Sequence, residues 1–370
     1  MNILIAGRLG RYADRVCALR DAGHNLVYCT MQAPIQKPLP DDLKDASIPK
    51  YKATASQAGP LVARICAAHE IDVIYSLKNV WDGSLELLNE ILDAGLDVPV
   101  VRHYKEHFCR ASTLERRSLV ETAGQIYINE ESFDYFRRTY QVRLATAHIL
   151  DTDYLPARYL AGELRPKLRR ELEAPHLLMA GGLSSNGGRN DVRGLCRDLA
   201  GRGVRVHLYG RKFVGHNEAG VWGVDHEPTM LAYQHLEDEG CCRLHDHVEP
   251  DAYVSAWSGY DAGLMHPARA ADVDPFAAFN YPNRLAPYVA SGLPLAQQRG
   301  MHRAMERLIE REGIGLLYDT NDQLAEMLHD ASLVQTVTDA VLRRRPAFTY
   351  EHHVPALIDV LSHYARARTS

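Results

Sequence analysis

Short apolar segments alternate with segments of helical length along most of this chain, and the alternation runs through it twice. Apolar segments of about four to eight residues, bounded by turn residues, are typical of buried strands. Strands that alternate with helices predict a parallel β-sheet with helices on both of its faces, which is the α/β class. In the first block the predicted strands are residues 2–6, 26–29, 72–76 and 98–101.

The alternation stops around residues 151–173 and then starts again, with predicted strands at 176–180, 204–209, 260–265 and 313–318. A chain of 370 residues is too long for one ordinary core. Because open α/β sheets bind ligands beyond the carboxyl ends of their strands, we expect two βα-repeating domains that face each other across a cleft. The predicted parts are domains at 1–155 and 175–348, a charged helical linker at 156–174, and a C-terminal helix and tail at 349–370.

The composition is that of a soluble globular protein, with 46% hydrophobic residues and a formal net charge of -5. An acidic chain argues against nucleic-acid binding, which usually shows as a strongly basic domain. The seven cysteines are scattered, which predicts a reducing, cytoplasmic location. The first residues do not have the pattern of a signal peptide, and no apolar stretch approaches the roughly 18 residues of a membrane span.

The segment FNYPNRLAPYVASGLPLAQQRG, residues 279–300, has the pattern of a short apolar helix between proline and glycine. Pro287 falls near the predicted helix start, where a missing N–H costs little, and Gly292 can take a positive φ at the other end. Free amides at the start of such a helix favour a phosphate, and Arg284 offers a bidentate contact. An ordinary buried helix capped by Gly-x-Pro has the same pattern, so both interpretations are open.

Pro282-Asn283-Arg284-Leu285, followed by Val-Ala-Ser-Gly-Leu-Pro at 289–294, resembles the donor-binding segment of GT-B glycosyltransferases of the family-4-like group. In that group a Pro-x-Lys-Leu step precedes a helix that ends in Leu-Ala-x-Gly-x-Pro-Val-Val, so Arg284 stands where the family has Lys. Other segments resemble those of the family in the same order along nearly the whole chain. They are residues 98–103, 124–132, 148–156, 178–183, 206–210 and 243–253.

The resemblance implies a GT-B fold of two Rossmann-like domains and the transfer of a sugar from a nucleotide-diphosphate donor, such as a UDP-sugar, to a hydroxyl. The acceptor would be a small molecule, a lipid-linked intermediate or a glycan. The resemblance also implies retention of the anomeric configuration. No metal or separate cofactor is expected, because Arg and backbone amides can neutralise the departing diphosphate. The predicted donor contacts, from the resemblance and from the Gly-rich turns discussed below, are Gly10, Gly182, Ser184, Arg189, Gly210, Arg211, Val248, Asn280, Tyr281, Asn283 and Arg284.

His103 ends a predicted strand of the first domain and matches a family His that lies near the sugar. A neutral imidazole at this place can accept the proton of an acceptor hydroxyl or hydrogen-bond the donor sugar. Glu106 is the second candidate base, and Lys105 is a candidate partner of the diphosphate leaving group. The residues around His103 also have the composition of a solvated charged loop, so both interpretations are open.

Two Gly-rich turns follow predicted strands, one in each domain. Residues 7–10, Gly-Arg-Leu-Gly, lack the Gly-x-Gly-x-x-Gly pattern and the acidic second-strand end of a dinucleotide site, which argues against NAD. A backbone contact of Gly10 with a phosphate or sugar and an ordinary tight turn fit equally well. Residues 181–189 precede a predicted helix, where backbone amides can hold a phosphate.

Two carboxylates that the family places eight residues apart are missing from this chain. Phe279 and Pro287 stand in their places, and neither side chain can accept a hydrogen bond. The departure leaves two alternatives to a transferase: a non-catalytic nucleotide- or glycan-binding protein, and a nucleotide-sugar epimerase or hydrolase. A family Arg and a family Lys are also replaced, by Gly182 and Gly187, for which the candidate substitutes are Arg189 and Arg193.

Two further features have a specific and an ordinary interpretation. Residues 241–247, CCRLHDH, lack the usual Cys-x-x-Cys spacing of a zinc site, and the resemblance favours a strand whose end near His247 and Val248 borders the nucleotide base. The basic clusters at 102–117 and 158–173 resemble patches with which some GT-B enzymes contact anionic membranes. Interspersed Glu residues favour solvated faces instead.

Overall fold

A computed structural model describes residues 1–7, 13–31, 48–54, 57–78, 84–104, 112–142, 147–150, 154–185, 191–210, 226–265 and 278–367. The chain divides into two compact units. The first contains Met1–Thr152 and Tyr350–Ser370, and the second is Asp153–Thr349. Residues 156–174, expected as a linker, therefore belong to the second unit, and the C-terminal helix belongs to the first.

Among the described residues, seven strands of the first unit form one parallel sheet. They are β1 (Asn2–Ala6), β2 (Asn25–Met31), β3 (Lys50–Ala53), β4 (Val73–Lys78), β5 (Val100–Tyr104), β6 (Gly124–Tyr127) and β7 (Ala147–Ile149). Their order across the sheet is β3-β2-β1-β4-β5-β6-β7. Ile3, Leu4 and Ile5 of the central strand β1 are all buried, as expected for a parallel sheet covered on both faces.

The described part of the second unit contains a six-stranded parallel sheet. Its strands are β8 (His176–Ala180), β9 (Arg205–Tyr209), β10 (Arg243–His245), β11 (Ala262–Leu264), β12 (Leu295–Gln298) and β13 (Gly315–Tyr318). Their order is β10-β9-β8-β11-β12-β13. The predicted α/β class with two βα-repeating parts is therefore confirmed, whereas the cleft between them stays a prediction.

Helices connect most of these strands, as the alternating pattern predicts. In the first unit they are α1 (Ala13–Asp21), α2 (Ala58–Ala68), α3 (Ser84–Asp93), α4 (Thr113–Glu121) and α5 (Glu130–Tyr140). In the second unit they are α6 (Arg169–Leu172), α7 (Arg193–Ala200), α8 (His226–Asp238), α9 (Tyr253–Trp257), α10 (Leu285–Ala290), α11 (Arg303–Glu312), α12 (Asn321–His329) and α13 (Ala331–Arg344). The last helix, α14 (Tyr350–Ala367), returns to the first unit.

The charged segment before β8 is not the continuous helix that its composition predicts. It begins with a 3₁₀ helix, Ala157–Ala161, and regains helical structure only in the short α6. Pro166 explains the interruption, because proline lacks an N–H and disfavours the helical conformation of the residue before it. Gly162 follows the 3₁₀ helix, and a Cβ there would lie 2.8 Å from Cβ of Val254, so the segment packs closely on α9.

The C-terminal helix α14 packs within the first unit. The ring of Tyr364 occupies the space where a side chain at Gly124 would lie, and its hydroxyl is 3.0 Å from Nε2 of His148. Gly124 begins β6, so α14 covers that strand directly. No helix in the described ranges is both long and apolar enough to cross a bilayer.

Candidate donor and acceptor sites

Gly181 follows β8 at the carboxyl edge of the second sheet and has a backbone conformation that favours glycine. Its φ is +125°, and its N–H donates to the carbonyl of Tyr209, the last residue of β9, over 3.1 Å. A Cβ added at Gly181 would lie 2.8 Å from Nη2 of Arg284. The lack of a side chain therefore lets the guanidinium reach the turn directly.

Arg284 immediately precedes α10, and it is only 8% exposed. Its Nη1 lies 3.5 Å from the carbonyl oxygen of Leu264, the last residue of β11. Because β8 and β11 are neighbours in the sheet, the guanidinium lies at the carboxyl ends of two adjacent strands. The N–H of Leu285 donates to the carbonyl of Pro282 over 2.9 Å, so the Pro-Asn-Arg-Leu sequence forms the turn that presents Arg284.

Tyr288 holds this turn against the sheet, and it was not predicted as a site residue. Its hydroxyl accepts a hydrogen bond of 2.7 Å from the N–H of Ala180, the last residue of β8. Its ring fills the space where a side chain at Gly263 in β11 would lie. Burial raises the pKa of Tyr288, while the nearby charge of Arg284 opposes that rise. The sequence signal was a glycine in the middle of a buried strand, which marks a close approach of another group.

Two predicted donor contacts carry buried polar atoms that have no partner within the described ranges. Ser184 is 7% exposed and Asn280 is 6% exposed. Among the described residues, neither the Ser184 hydroxyl nor the two amide atoms of Asn280 has a hydrogen-bond partner. A buried polar atom without a partner costs on the order of 1–3 kcal/mol, and such groups in native structures call for an explanation. A polar ligand that hydrogen-bonds to these atoms is one such explanation.

The remaining predicted donor contacts lie in the same part of the second unit or outside the described residues. Gly210 follows β9, and a Cβ there would lie 2.8 Å from the carbonyl oxygen of Gly181, so the two turns are in close contact. Gly182 follows Gly181, and Val248 follows β10 by three residues. Tyr281 is buried and Asn283 is exposed in the turn before Arg284. Gly10, Lys105, Glu106, Arg189 and Arg211 lie outside the described residues, and the roles assigned to them stay predictions.

The helix predicted at the donor segment is present, with its proline and glycine where the sequence places them. Pro287 is the third residue of α10, within the first turn, where its missing N–H has no intrahelical partner to lose. Gly292 follows the helix with a φ of +70°. Phe279 is half-buried and Pro287 is buried, so the two positions of the missing carboxylates offer no polar side chain.

Arg193 was one candidate for a replacement phosphate ligand. It begins α7, but its guanidinium is already engaged by other groups. Nη2 lies 2.7 Å from Oδ2 of Asp191 and donates to the carbonyl of Ser185 over 2.7 Å. The carboxylate of Asp191 neutralises the cation and holds it in the loop, which favours a role in fixing the turn after β8.

In the first unit His103 is the fourth residue of β5 and is 3% exposed. Its Nδ1 lies 2.5 Å from the hydroxyl of Tyr75 in β4 and 3.3 Å from Nη1 of Arg15 in α1. The same Nη1 donates to the Tyr75 hydroxyl over 3.2 Å. Burial raises the pKa of Tyr75, and the charge of Arg15 opposes the rise. The prediction of an exposed, solvated loop does not hold at His103 itself, because strand β5 extends through Tyr104.

Three histidines form a hydrogen-bonded row across β8, β9 and β10. Nδ1 of His176 lies 2.8 Å from Nε2 of His207, and Nδ1 of His207 lies 2.9 Å from Nε2 of His245. Burial lowers the pKa of His176 to about 4 and that of His207 to about 3, with further lowering by neighbouring cations. The rings therefore bind one another as neutral groups. In the described part of the chain no group of three or more His, Cys, Asp or Glu could hold a metal ion.

The end of the row reaches the segment predicted to border the nucleotide base. His245 ends β10 and stacks on Tyr209 of β9, with ring centroids 4.4 Å apart and planes 9° from parallel. Val248 lies three residues further along. The strand that the resemblance placed here is present, although it is only three residues long.

Comparisons of sequence and of structure give different results. No protein-family model and no curated protein matches the sequence. Solved structures that match almost end to end include sucrose-phosphate synthase of Thermosynechococcus elongatus, with 12% identity, 99% of each chain covered and a TM-score of 0.69. HepE of Anabaena in complex with UDP has 16% identity, covers 98% of this chain and 100% of its own, and has a TM-score of 0.68.

A putative UDP-N-acetylglucosamine 2-epimerase of Listeria monocytogenes also matches, with 10% identity, 98% of this chain and 96% of its own covered, and a TM-score of 0.60. Identities this low are informative about architecture alone. The two parallel sheets and the end-to-end matches agree with the resemblance read from the sequence. The chain has the GT-B fold.

Proposed function

We propose that the protein is a glycosyltransferase that moves a sugar from a nucleotide-diphosphate donor to a hydroxyl acceptor. The observation that carries the proposal is the buried guanidinium of Arg284, set against Gly181 at the carboxyl ends of β8 and β11. In open α/β sheets ligands bind beyond this edge, and a planar guanidinium is suited to a diphosphate. The second unit therefore binds the nucleotide in this proposal.

The chemistry needs stabilisation of a leaving group. The bond between the anomeric carbon and the diphosphate oxygen breaks, and the diphosphate departs with the electron pair. The acceptor oxygen forms the new bond to that carbon and loses its proton. Arg284 stabilises the charge that develops on the diphosphate, in a place that excludes water. Ser184 and Asn280 supply uncharged donors and acceptors, whose buried polar atoms a bound donor would satisfy.

The finer parts of the proposal rest on different supports. The presence of UDP in the structure of Anabaena HepE supports a uridine nucleotide. Retention of the anomeric configuration and independence of metal rest on the resemblance of the donor segment. The acceptor, whether a small molecule, a lipid-linked intermediate or a glycan, binds the first unit in this proposal, near His103. We also keep a cytoplasmic location as part of it.

Phe279 and Pro287 favour one alternative, a GT-B protein that binds a nucleotide or glycan without turning it over. These residues leave the donor site without the two carboxylates that the family uses. The match to a putative epimerase supports a second alternative, in which the donor is turned over without an acceptor. Both alternatives keep the nucleotide site and differ in the products formed.

Thermal unfolding with UDP, GDP, ADP, TDP and CDP tests the nucleotide site. A ligand at about 100 times its Kd stabilises the folded protein by roughly 2.7 kcal/mol. We expect UDP to raise the Tm, Arg284→Ala to lose the increase, and Arg202→Ala to keep it. Arg202 is the control because it lies in the turn before β9, at the opposite edge of the sheet. Its guanidinium pairs there with Asp198 and Asp322.

Product analysis then separates the three functions. Incubation with UDP-sugars and a panel of hydroxyl acceptors gives a glycosylated acceptor and UDP for a transferase. An epimerase or hydrolase gives an altered sugar without any acceptor, and a binding protein gives a Tm increase with no product. If no nucleotide changes the Tm, the donor site proposed at Arg284 does not exist and the transferase proposal fails.

A further inference from the structure

We propose that Arg15 and Tyr75 are positioning residues that hold His103 as the neutral tautomer with its proton on Nε2. His103 then acts in the proposed transfer as a hydrogen-bond donor to an oxygen of a bound sugar or acceptor, and not as the general base. The proposal rests on the proposed function for its role in the reaction. The proposed tautomer rests on contacts within the first unit and does not depend on the proposed function.

Arg15 donates a hydrogen bond to Nδ1 of His103 in this proposal. Its Nη1 lies 3.3 Å from Nδ1 of His103, with the N–H directed at that nitrogen. A guanidinium has five N–H donors and no acceptor, and it keeps its charge in proteins. Nδ1 must therefore accept, so it carries no proton. A neutral imidazole has one donor nitrogen and one acceptor nitrogen, which leaves the proton on Nε2.

The hydrogen bonds of Tyr75 lead to the same tautomer of His103. Its hydroxyl lies 2.5 Å from Nδ1 and accepts from Nη1 of Arg15 over 3.2 Å. With one hydrogen bond received from Arg15, the hydroxyl has its own proton to donate to Nδ1. Arg15, Tyr75 and His103 thus form a triangle in which every proton has a place and Nδ1 is the common acceptor.

The charge of Arg15 disfavours the doubly protonated ring. Arg15 and His103 are each 3% exposed, so little water lies between them. A positive imidazolium would stand 3.3 Å from the guanidinium in surroundings that screen charge poorly. The ring of Tyr350, the first residue of α14, lies 5.7 Å from Cζ of Arg15 and favours the cation where it is.

In this tautomer His103 cannot take the proton of the acceptor hydroxyl. A general base needs an unprotonated nitrogen directed at the acceptor hydroxyl, and the only unprotonated nitrogen of His103 is already bound by Arg15 and Tyr75. The other nitrogen, Nε2, carries a proton and can only donate. Another group must therefore take the acceptor proton, and His103 contributes orientation and charge stabilisation.

The tautomer is measured directly by two-bond ¹H–¹⁵N correlation spectroscopy of uniformly ¹⁵N-labelled protein at pH 7. The His103→Gln variant identifies the signals of His103 among those of the 18 histidines. We expect the pattern of a ring protonated on Nε2, both in the wild type and in Tyr75→Phe, where Arg15 still donates to Nδ1. A ring protonated on Nδ1, or on both nitrogens, in the wild type overturns the proposal.

Turnover tests the role of the positioning residues in the reaction. Arg15→Gln and Tyr75→Phe should each lower kcat about tenfold or more while leaving the UDP-induced Tm increase intact, since that increase depends on the second unit. Arg15→Lys should recover part of the activity, because Lys also donates to Nδ1. Arg20→Gln, at a partly exposed position of the same helix beside Asp21, is the control that should change nothing.

The two proposals fail in different ways. If the wild type turns over no nucleotide sugar, the proposed function fails while the spectrum still decides the tautomer. If the spectrum shows the Nε2 tautomer but Arg15→Gln and Tyr75→Phe keep full kcat, the positioning role is overturned. Circular dichroism spectra of the variants establish that they are folded before either measurement is compared.

Discussion

The Cβ of an alanine at position 181 would lie 2.8 Å from Nη2 of Arg284, so the glycine turn and the guanidinium occupy adjoining space. Gly181→Ala should push Arg284 away and also strain a backbone with a φ of +125°. We expect destabilisation by about 1–3 kcal/mol and a Kd for the nucleoside diphosphate at least roughly tenfold higher. Thermal unfolding with and without UDP measures both effects.

A second glycine variant in the same unit distinguishes the effect of backbone strain from that of the contact with Arg284. Gly240 has a φ of +75°, but a Cβ there meets nothing within 4 Å. Gly240→Ala should destabilise the fold by strain while the Kd for UDP stays unchanged. Equal losses of UDP binding in both variants would contradict the contact proposed between Gly181 and Arg284.

Ser184→Ala should affect stability and binding in opposite directions. The Ser184 hydroxyl is buried without a partner among the described residues, so its removal relieves a desolvation cost. We expect the unliganded protein to keep its free energy of unfolding or gain about 0.5–1 kcal/mol, while UDP-sugar binding weakens. Urea unfolding and calorimetric titration of the same preparation check the two halves.

Ser118→Ala is the matched control for that prediction. The Ser118 hydroxyl is also buried, but it donates to the carbonyl of Glu115 over 2.7 Å. Its loss should destabilise the first unit by about 1 kcal/mol without any effect on UDP binding. If Ser184→Ala behaves like Ser118→Ala, the Ser184 hydroxyl has a structural partner and no ligand.

The histidine row predicts a loss of stability on acidification. The folded pKa of His207 is about 3 and that of His176 about 4, both below the unfolded value of 6.5. Below pH 6.5 the unfolded chain therefore binds protons that the folded chain does not, and the free energy of unfolding falls as the pH approaches 4. A decrease on the order of 2 kcal/mol for each histidine, about 4 kcal/mol for the two together, is expected between pH 7 and pH 5.

Substitution of the central histidine isolates this contribution from that of the carboxylates. His207→Gln should be less stable at pH 7 but show a flatter dependence of the free energy of unfolding on pH. His235→Gln, at an exposed position on α8, should keep the wild-type slope. Urea unfolding at pH 7, 6 and 5 gives the slopes, and parallel slopes for wild type and His207→Gln would refute the assignment.

Removing one partner of the buried ion pair in the first unit should destabilise the fold strongly, whereas replacing both partners with apolar residues should destabilise it little. Nη2 of Arg102 lies 2.8 Å from Oε1 of Glu115, and both side chains are almost fully buried. Glu115→Ala leaves a buried guanidinium beside the rings of Tyr104 and Tyr127, and should destabilise by about 3–5 kcal/mol. The Arg102→Met, Glu115→Leu double variant should recover most of that loss. Urea unfolding of the three proteins measures the difference.

The sequence was sufficient for the strands that are apolar and for the turns that need glycine or proline. The predicted strand at 176–180 has the bounds of β8, and Pro287 and Gly292 lie where the helix pattern put them. The polar strand β3, Lys50–Ala53, was missed because it lies at the edge of the sheet and has no apolar run. The helix predicted across Pro166 was wrong because backbone chemistry outweighed composition.

Local sequence patterns could not predict contacts between residues that are far apart in the chain. Arg15 and His103 are 88 residues apart in sequence, and Tyr75 in a buried strand reads as an ordinary core aromatic. Tyr288 bonds to a strand end 108 residues earlier. A window of neighbouring residues contains none of these pairs, since parallel strands meet only through long crossover connections.

The return of α14 to the first unit sets the order in which the chain can be completed during synthesis. Asp153–Thr349 is one uninterrupted stretch, and Leu155 near its start pairs with Thr349 at its end. During synthesis every residue of this stretch is added before Tyr350–Ala367. The other residues of the first unit precede this stretch, but β6 lacks its cover at Gly124 until Tyr364 is added, so the first unit is completed after the second.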